Sequence, residues 1–89
     1  MAWTVEFEKK AARELKELSP DVVRRILDFL ADRAESADDP RQVGAALRGP
    51  ELGRFWKYRV GDYRLIAHID DGTITVLILS VGHRRQIYR

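Results

Sequence analysis

Apolar and polar residues alternate along Trp3-Thr4-Val5-Glu6-Phe7, with aromatic and β-branched types among them, which predicts a short half-buried strand. From Glu8 to Leu18 the spacing changes: Ala11, Ala12, Leu15 and Leu18 fall at helical intervals, with Lys and Glu on the other face. This first helix is expected to end near Ser19. Ser19-Pro20-Asp21 reads as the start of a second one, since Ser can cap free N–H groups and Pro at the first helical position gives up no needed donor. Val22, Val23, Ile26, Leu27, Phe29 and Leu30 form its apolar stripe, and the pattern fades through Arg33-Ala34-Glu35-Ser36. The turn between the helices is so short that they are expected to form an antiparallel hairpin.

Asp38-Asp39-Pro40 breaks the helical period, and the stretch to Pro50 reads as a connection with room for one helical turn. Beyond it, the segments Arg54 to Val60, Tyr63 to Ile69 and Thr73 to Val81 are rich in β-branched and aromatic residues. They are separated by Gly61-Asp62 and Asp70-Asp71-Gly72, so they predict a three-strand antiparallel meander. The fold class that follows is α+β: an N-terminal strand and a helical hairpin on one face of an antiparallel sheet, in one domain spanning residues 1–89.

A two-residue turn at Gly61-Asp62 fixes a register. Val60 then lies opposite Tyr63, Arg59 opposite Arg64, Tyr58 opposite Leu65, Lys57 opposite Ile66 and Trp56 opposite Ala67. Alternation places Trp56, Tyr58, Val60, Tyr63, Leu65, Ala67 and Ile69 on a face apolar enough to pack under the helices. Lys57, Arg59, Arg64 and His68 share the other face with Phe55 and Ile66. Arg59 opposite Arg64 sets like charges side by side, which costs roughly 0.2–1 kcal/mol per pair. A solvated face with offsetting carboxylates is one explanation, and an anion site is the other.

Charge sharpens the choice. Residues 53–89 hold 7 Lys/Arg against 3 Asp, whereas residues 1–52 hold 9 against 11 Asp/Glu, so the net charge of +2 conceals a basic C-terminal part. Basic residues interleaved with aromatics point to a polyanionic partner, nucleic acid above all. With 89 residues and no cysteine, the chain is expected to build one small core without disulfides or thiolate metal sites. No signal-like stretch opens it, and its longest apolar run, Ile74 to Leu79, is interrupted by Thr75. The expectation is therefore a cytoplasmic protein with no membrane association.

The sequence carries no HExxH, no Gly-rich phosphate loop and no carboxylate cluster of metal-binding type, so neither a metal nor a cofactor is expected; Asp70 and Asp71 read as turn residues. The residues present suit metal-free cleavage of a ribose-containing backbone. In that reaction a 2′-hydroxyl attacks the adjacent phosphorus, a base takes its proton, cations stabilise the phosphoryl oxygens and an acid protonates the leaving 5′-oxygen. Arginine suits the stabilising role. Lys, Tyr, His or a second Arg can fill the others, although Lys or Tyr acting as a base needs a lowered pKa. His68 in mid-strand reads as structural, His83 beside two arginines in a loop reads either way, Tyr88 is an edge aromatic or a stacking group, and Trp3 and Trp56 read as core.

Leu47-Arg48-Gly49, then Tyr58-Arg59-Val60-Gly61-Asp62-Tyr63-Arg64-Leu65-Ile66, then Ser80-Val81-Gly82-His83-Arg84-Arg85 ending in Tyr88, together resemble the RelE branch of the RelE/ParE toxins of toxin–antitoxin modules. The resemblance implies a two-layer RelE-like fold and a ribosome-dependent mRNA endonuclease acting in the A site by metal-free 2′-hydroxyl attack. It also implies inhibition by a RelB-like antitoxin, with operator DNA contacted only through that complex. By position, Lys57 resembles the family's basic residue in general-base or charge-stabilising position and Arg64 its phosphate-binding arginine. Arg84 resembles its general-acid or transition-state arginine, and Tyr88 the tyrosine that stacks on substrate or orients the 2′-hydroxyl. Arg59, Arg48, His83 and Arg85 are the expected RNA-contacting residues. One departure stands out: where some members carry a second lysine two residues before the position of Lys57, this chain has Phe55. The alternatives are a ParE-like gyrase inhibitor without nuclease activity and a catalytically silent domain that binds antitoxin or RNA.

Overall fold

The computed structural model describes residues 2–47 and 55–83. Met1, residues 48–54 and residues 84–89 lie outside the described residues, and with them Arg48, Arg54, Arg84, Arg85 and Tyr88. In chain order the elements are β1 (Thr4–Phe7), α1 (Lys9–Lys16), α2 (Pro20–Phe29), β2 (Ala45–Ala46), β3 (Trp56–Val60), β4 (Tyr63–Asp70) and β5 (Thr75–His83). A π-type helical segment, Leu30–Glu35, extends α2, and a single 3-10 turn, Pro40–Val43, precedes β2. The five strands form one sheet in the order β1-β5-β4-β3-β2, and the helices pack on one of its faces, α1 over β5 and β1 and α2 over β3. Among the described residues no helix is long and apolar enough to cross a membrane.

The predicted α+β arrangement holds, with two additions to the sheet. β1 pairs in parallel with β5, Val5 opposite Val76 and Phe7 opposite Ile78, and β2 pairs with the outer side of β3. The meander is therefore the centre of a wider sheet that contains one parallel pair. Every predicted pair across Gly61-Asp62 is present, from Val60 opposite Tyr63 to Trp56 opposite Ala67. Gly61 has φ +60° and Asp62 does not have positive φ, the pattern of a type II′ turn, whose twist suits the flanking strands.

Local details depart from the sequence reading. Ser19 takes the N-cap position of α2, but its side chain makes no capping hydrogen bond; its carbonyl accepts from Val23 N–H, and Asp21 supplies negative charge to the first turn. The connection does hold one helical turn, opened by the Asp39 carboxylate accepting from Arg41 N–H at 3.0 Å. β5 runs to His83, so this histidine is a strand residue rather than part of a loop.

The core joins Trp3, Ala11, Ile26, Leu30 and Ala34 to Tyr58, Val60, Leu65, Ala67, Ile69, Val76, Ile78 and Val81 of the sheet. β5 would break its own pattern if it ran regularly, because Val76 and Ile78 would be followed inward by Ser80. A bulge at Leu79 prevents this: Ala67 faces Ile78, Ile66 faces Ser80, and Val81 turns into the core opposite Leu65. The carboxylate of Glu14 on α1 accepts from Val81 N–H at 2.9 Å and from the Ser80 hydroxyl at 3.2 Å, serving the strand where β1 has ended.

Tyr58 is fully buried, tilted against Phe29, and donates its hydroxyl to the Pro40 carbonyl at 2.9 Å. Burial, together with the nearby Asp39 charge, pushes its pKa up to about 12, which fixes it as a neutral donor. Gly44 lies against the same ring: a Cβ there would come within 2.7 Å of the Lys57 carbonyl oxygen and 2.8 Å of two ring carbons.

These contacts yield two expectations. Gly44→Ala should lower stability by about 1–3 kcal/mol, read as a lower urea midpoint at unchanged slope, because neither the β3 backbone nor the Tyr58 ring can give way. Partial burial works to raise the Glu14 pKa, but hydrogen bonds from Val81, Lys10 and Ser80 outweigh it and hold the carboxyl below its ordinary value of 4.5. The stability this confers is present above that value and is lost as pH falls through the lower folded one. The difference in unfolding free energy between the protein and Glu14→Gln should therefore shrink from about pH 5 to pH 3.

Candidate anion site on the open face of the sheet

Alternation along β3 and β4 sends Tyr58, Val60, Leu65 and Ala67 under the helices and Lys57, Arg59 and Arg64 to the opposite, open face. There the three cations line a cavity of about 320 Å³, closed on its outer side by Val43, Gly44 and Ala45. Ala45 pairs directly with Lys57, so the short strand β2 forms the wall nearest the lysine.

The two arginines of the cross-strand pair differ in setting. Arg59 is exposed, whereas Arg64 is 9% exposed, and its Nη1 donates to the carbonyls of Gly61 and Tyr63, each at 3.0 Å. The β3–β4 turn thus anchors one corner of the guanidinium of this cavity-lining arginine. Neither arginine has a salt bridge among the described residues, so the like-charge pair is not offset by a carboxylate there. A preset cationic fork beside a lysine binds phosphate-like anions and stabilises charge developing on them.

Arg41 holds the outer wall in position. It forms a bidentate pair with Asp71 at the β4–β5 turn, 2.7 and 3.1 Å, contacts Asp39 at 3.3 Å and lies 5.9 Å from the centre of the Trp56 ring. The Asp71 hydrogen bonds hold the Arg41 pKa above its ordinary value and the Asp71 carboxyl below its own. Asp71 is a turn residue, as read from the sequence, whereas Asp70 closes β4 opposite Thr75 and its carboxylate accepts from Gly72 N–H.

Of the residues singled out from the sequence, Lys57, Arg59 and Arg64 come together. His83 does not join them. It pairs with Tyr63, packs edge-on against that ring at 5.6 Å between centres, and faces a different cavity of about 410 Å³ on the helix side, lined also by Glu14, Glu17 and Leu18. Arg48, Arg84, Arg85 and Tyr88 lie outside the described residues. The wall Val43–Ala45 and its latch Arg41 escaped the sequence reading; the only signal for them was the Asp39-Pro40 turn ahead of Arg41.

The ParE toxin family of type II toxin–antitoxin systems (parDE) matches residues 5–88. Toxin RelG of Mycobacterium tuberculosis is 39% identical over 89 residues, 100% of this chain and 99% of that protein. The mRNA interferase toxin RelE of Escherichia coli K12 is 31% identical over 87 residues, 97% of this chain and 87% of that one. Among solved structures, the fold is similar to a chain of the M. tuberculosis RelBE2 toxin–antitoxin complex, with TM-score 0.82 and 38% identity over 94% of this chain and 93% of that one. It is also similar to a double-arginine mutant of E. coli RelE in the free state, with TM-score 0.77 and 26% identity over 99% of this chain and 90% of that one.

The contrast between the two arginines is measurable in stability. Arg59→Gln should raise it by about 0.2–1 kcal/mol in low salt and by less in high salt, as repulsion is relieved and then screened. Arg64→Ala should lower it by about 1–3 kcal/mol, since two turn carbonyls lose a charged donor. Urea unfolding at two salt concentrations checks both.

Proposed function

The chain belongs to the RelE/ParE superfamily of type II toxin–antitoxin toxins, and on that footing we propose that it is a ribosome-dependent endoribonuclease that cuts mRNA in the A site. The observation that carries this reading is the convergence of Lys57, Arg59 and Arg64 on one walled cavity, with Arg64 anchored before any substrate arrives. In the reaction, the ribose 2′-oxygen forms a bond to phosphorus as its proton passes to a base. The P–O5′ bond then breaks, and the 5′-oxygen takes a proton, leaving a 2′,3′-cyclic phosphate and a 5′-hydroxyl.

Lys57 takes the general-base or charge-stabilising role, Arg64 binds the scissile phosphate, and Arg59 steadies the neighbouring backbone. Arg84 acts as the general acid or transition-state arginine, and Tyr88 stacks on the substrate or orients the 2′-hydroxyl. Arg48 and Arg85 extend the RNA contact, whereas the cavity faced by His83 lies across the sheet from this chemistry. The activity belongs in the cytoplasm, where ribosomes and mRNA are. A RelB-like antitoxin is the proposed inhibitor, a reading supported by the similarity to a chain of the RelBE2 toxin–antitoxin complex.

A second reading, gyrase inhibition without nuclease activity, is favoured by the ParE description of the matching family. Cleavage on programmed ribosomes separates the two. Lys57→Ala, Arg64→Ala and Arg84→Ala should each reduce the single-turnover rate by about 10²–10³-fold, with Arg64→Lys as the control for fold stability. Absence of cleavage by the unaltered protein across several A-site codons would overturn the nuclease reading. Growth inhibition that survives Lys57→Ala combined with Arg84→Ala would favour the gyrase target.

A further inference from the structure

β5 runs on past its parallel neighbour. β1 ends at Phe7, opposite Ile78, and the last bond between the two segments runs from Glu8 N–H to the Ile78 carbonyl at 2.9 Å, whereas β5 continues to His83. On the edge that β1 has left, Val81 is buried, so its N–H needs an acceptor from the protein. Helix α1 supplies it. Ala11, fully buried, lets α1 lie close over β5, and Glu14, one helical turn further on, reaches the strand. Its Oε1 accepts from Val81 N–H at 2.9 Å and from the Ser80 hydroxyl at 3.2 Å, and its Oε2 accepts from Lys10 Nζ at 3.1 Å. Lys10 Nζ also donates to the Ser80 hydroxyl at 3.0 Å. Lys10, Glu14 and Ser80 thus close a ring that grips two successive residues of β5.

The stretch gripped there is the one that passes the anion site. Gly82, next to Val81, stands opposite Arg64, and Arg84, the general-acid or transition-state arginine of the proposed reaction, follows two residues later in the chain. The side chains of Lys10 and Glu14 are 61% and 32% exposed, a setting in which an ion pair contributes little to global stability. Such a ring is better suited to fixing where a strand end lies than to holding the fold. We propose that Glu14 is a positioning residue for the reaction: by holding Ser80 and Val81 it fixes the end of β5 beside Arg64 and so sets where Arg84 meets the scissile phosphate. Lys10 and Ser80 act through it. Glu14 stands on the helix side of the sheet, away from the cavity that takes the phosphate. The proposal rests on the endoribonuclease reading for its reaction.

The test is single-turnover cleavage on programmed ribosomes by Glu14→Ala and Glu14→Gln, each alone and combined with Arg84→Ala or with Arg59→Gln. Misplacing a reacting group by about 1 Å costs up to about 10²-fold in rate, so Glu14→Ala should lower the rate at saturating protein by about 10–10²-fold. The half-saturating concentration should stay as it is, since no substrate contact is lost. Glu14→Gln keeps an oxygen for Val81 N–H and should recover most of the rate. With Arg84 already replaced, Glu14→Ala should cost nothing further, whereas with Arg59 replaced it should cost its full factor. A general loss of fold would instead lower the rate in both backgrounds alike. If Glu14→Ala does not fold, Ser80→Ala, which removes one of the two strand contacts, enters the same comparison. An unchanged rate, or an equal loss in the Arg84→Ala background, would overturn the positioning role while leaving the nuclease reading in place. If the unaltered protein cuts no mRNA, the nuclease reading fails, and Glu14 is judged by nuclear magnetic resonance with inorganic phosphate. An Arg84 Nε–H signal that responds to phosphate together with that of Arg64, and no longer does so in Glu14→Ala, supports the role. The same behaviour of Arg84 in both proteins, responsive or silent, overturns it.

Discussion

The antiparallel pairing of β3 with β4 is the constraint on which the rest of the molecule depends. Its register, set by the two-residue turn at Gly61-Asp62, performs one sorting operation with two results: Tyr58, Val60, Leu65 and Ala67 go to the core, and Lys57, Arg59 and Arg64 go to the open face. Side chains alternate along a strand, so fold and site cannot be adjusted separately here. Gly61 supplies the positive φ that the turn needs, and the turn's carbonyls then anchor Arg64. Arg64 is thus both a product of the register and a clamp upon it.

Around this pair the molecule arranges contacts that fix the cavity's wall from outside. Tyr58 reaches Pro40 from within the core, Gly44 closes on the tyrosine ring, and Arg41 ties the same segment to the β4–β5 turn through Asp71. Of these, the buried tyrosine carries the larger energetic weight, because a lost hydrogen bond there leaves the Pro40 carbonyl without its donor. The Arg41–Asp71 pair is exposed on the aspartate side, where such pairs contribute little stability, so its effect is on position more than on folding. Against these contacts stands the repulsion of Arg59 and Arg64, a local cost that no ion pair among the described residues offsets.

Much of this was legible in the sequence where local chemistry and global fold agree. The helices follow from the spacing of Ala11, Leu15, Val22, Ile26 and Leu30, and the β3–β4 register follows from a Gly-Asp turn between alternating segments. What escaped was set by long-range pairing. Nothing in Thr4–Phe7 says that its partner is β5 or that the pairing is parallel. Ala45–Ala46 carries no strand propensity and becomes a strand only because β3 offers an edge. The apolar run from Ile74 to Leu79 has no alternation from which a bulge is readable, and a glycine at position 82 resembles an ending, although β5 continues through it to His83. The cations of the candidate site were therefore visible and its wall was not, since Val43, Gly44 and Ala45 have no chemistry to announce them.

The bulge at Leu79 has a consequence beyond the core. It acts as a change of phase: everything after it on β5 is read one step later against β4. Without the extra residue, Val81 would stand opposite Arg64 on the open face and Ser80 would be driven inward opposite Leu65. With it, the residue opposite Arg64 is Gly82. The third strand then places a residue without a side chain opposite the arginine, and the core keeps its valine. A one-residue insertion, usually counted as an irregularity of a sheet, here decides which face of the molecule receives the valine and which receives the glycine position.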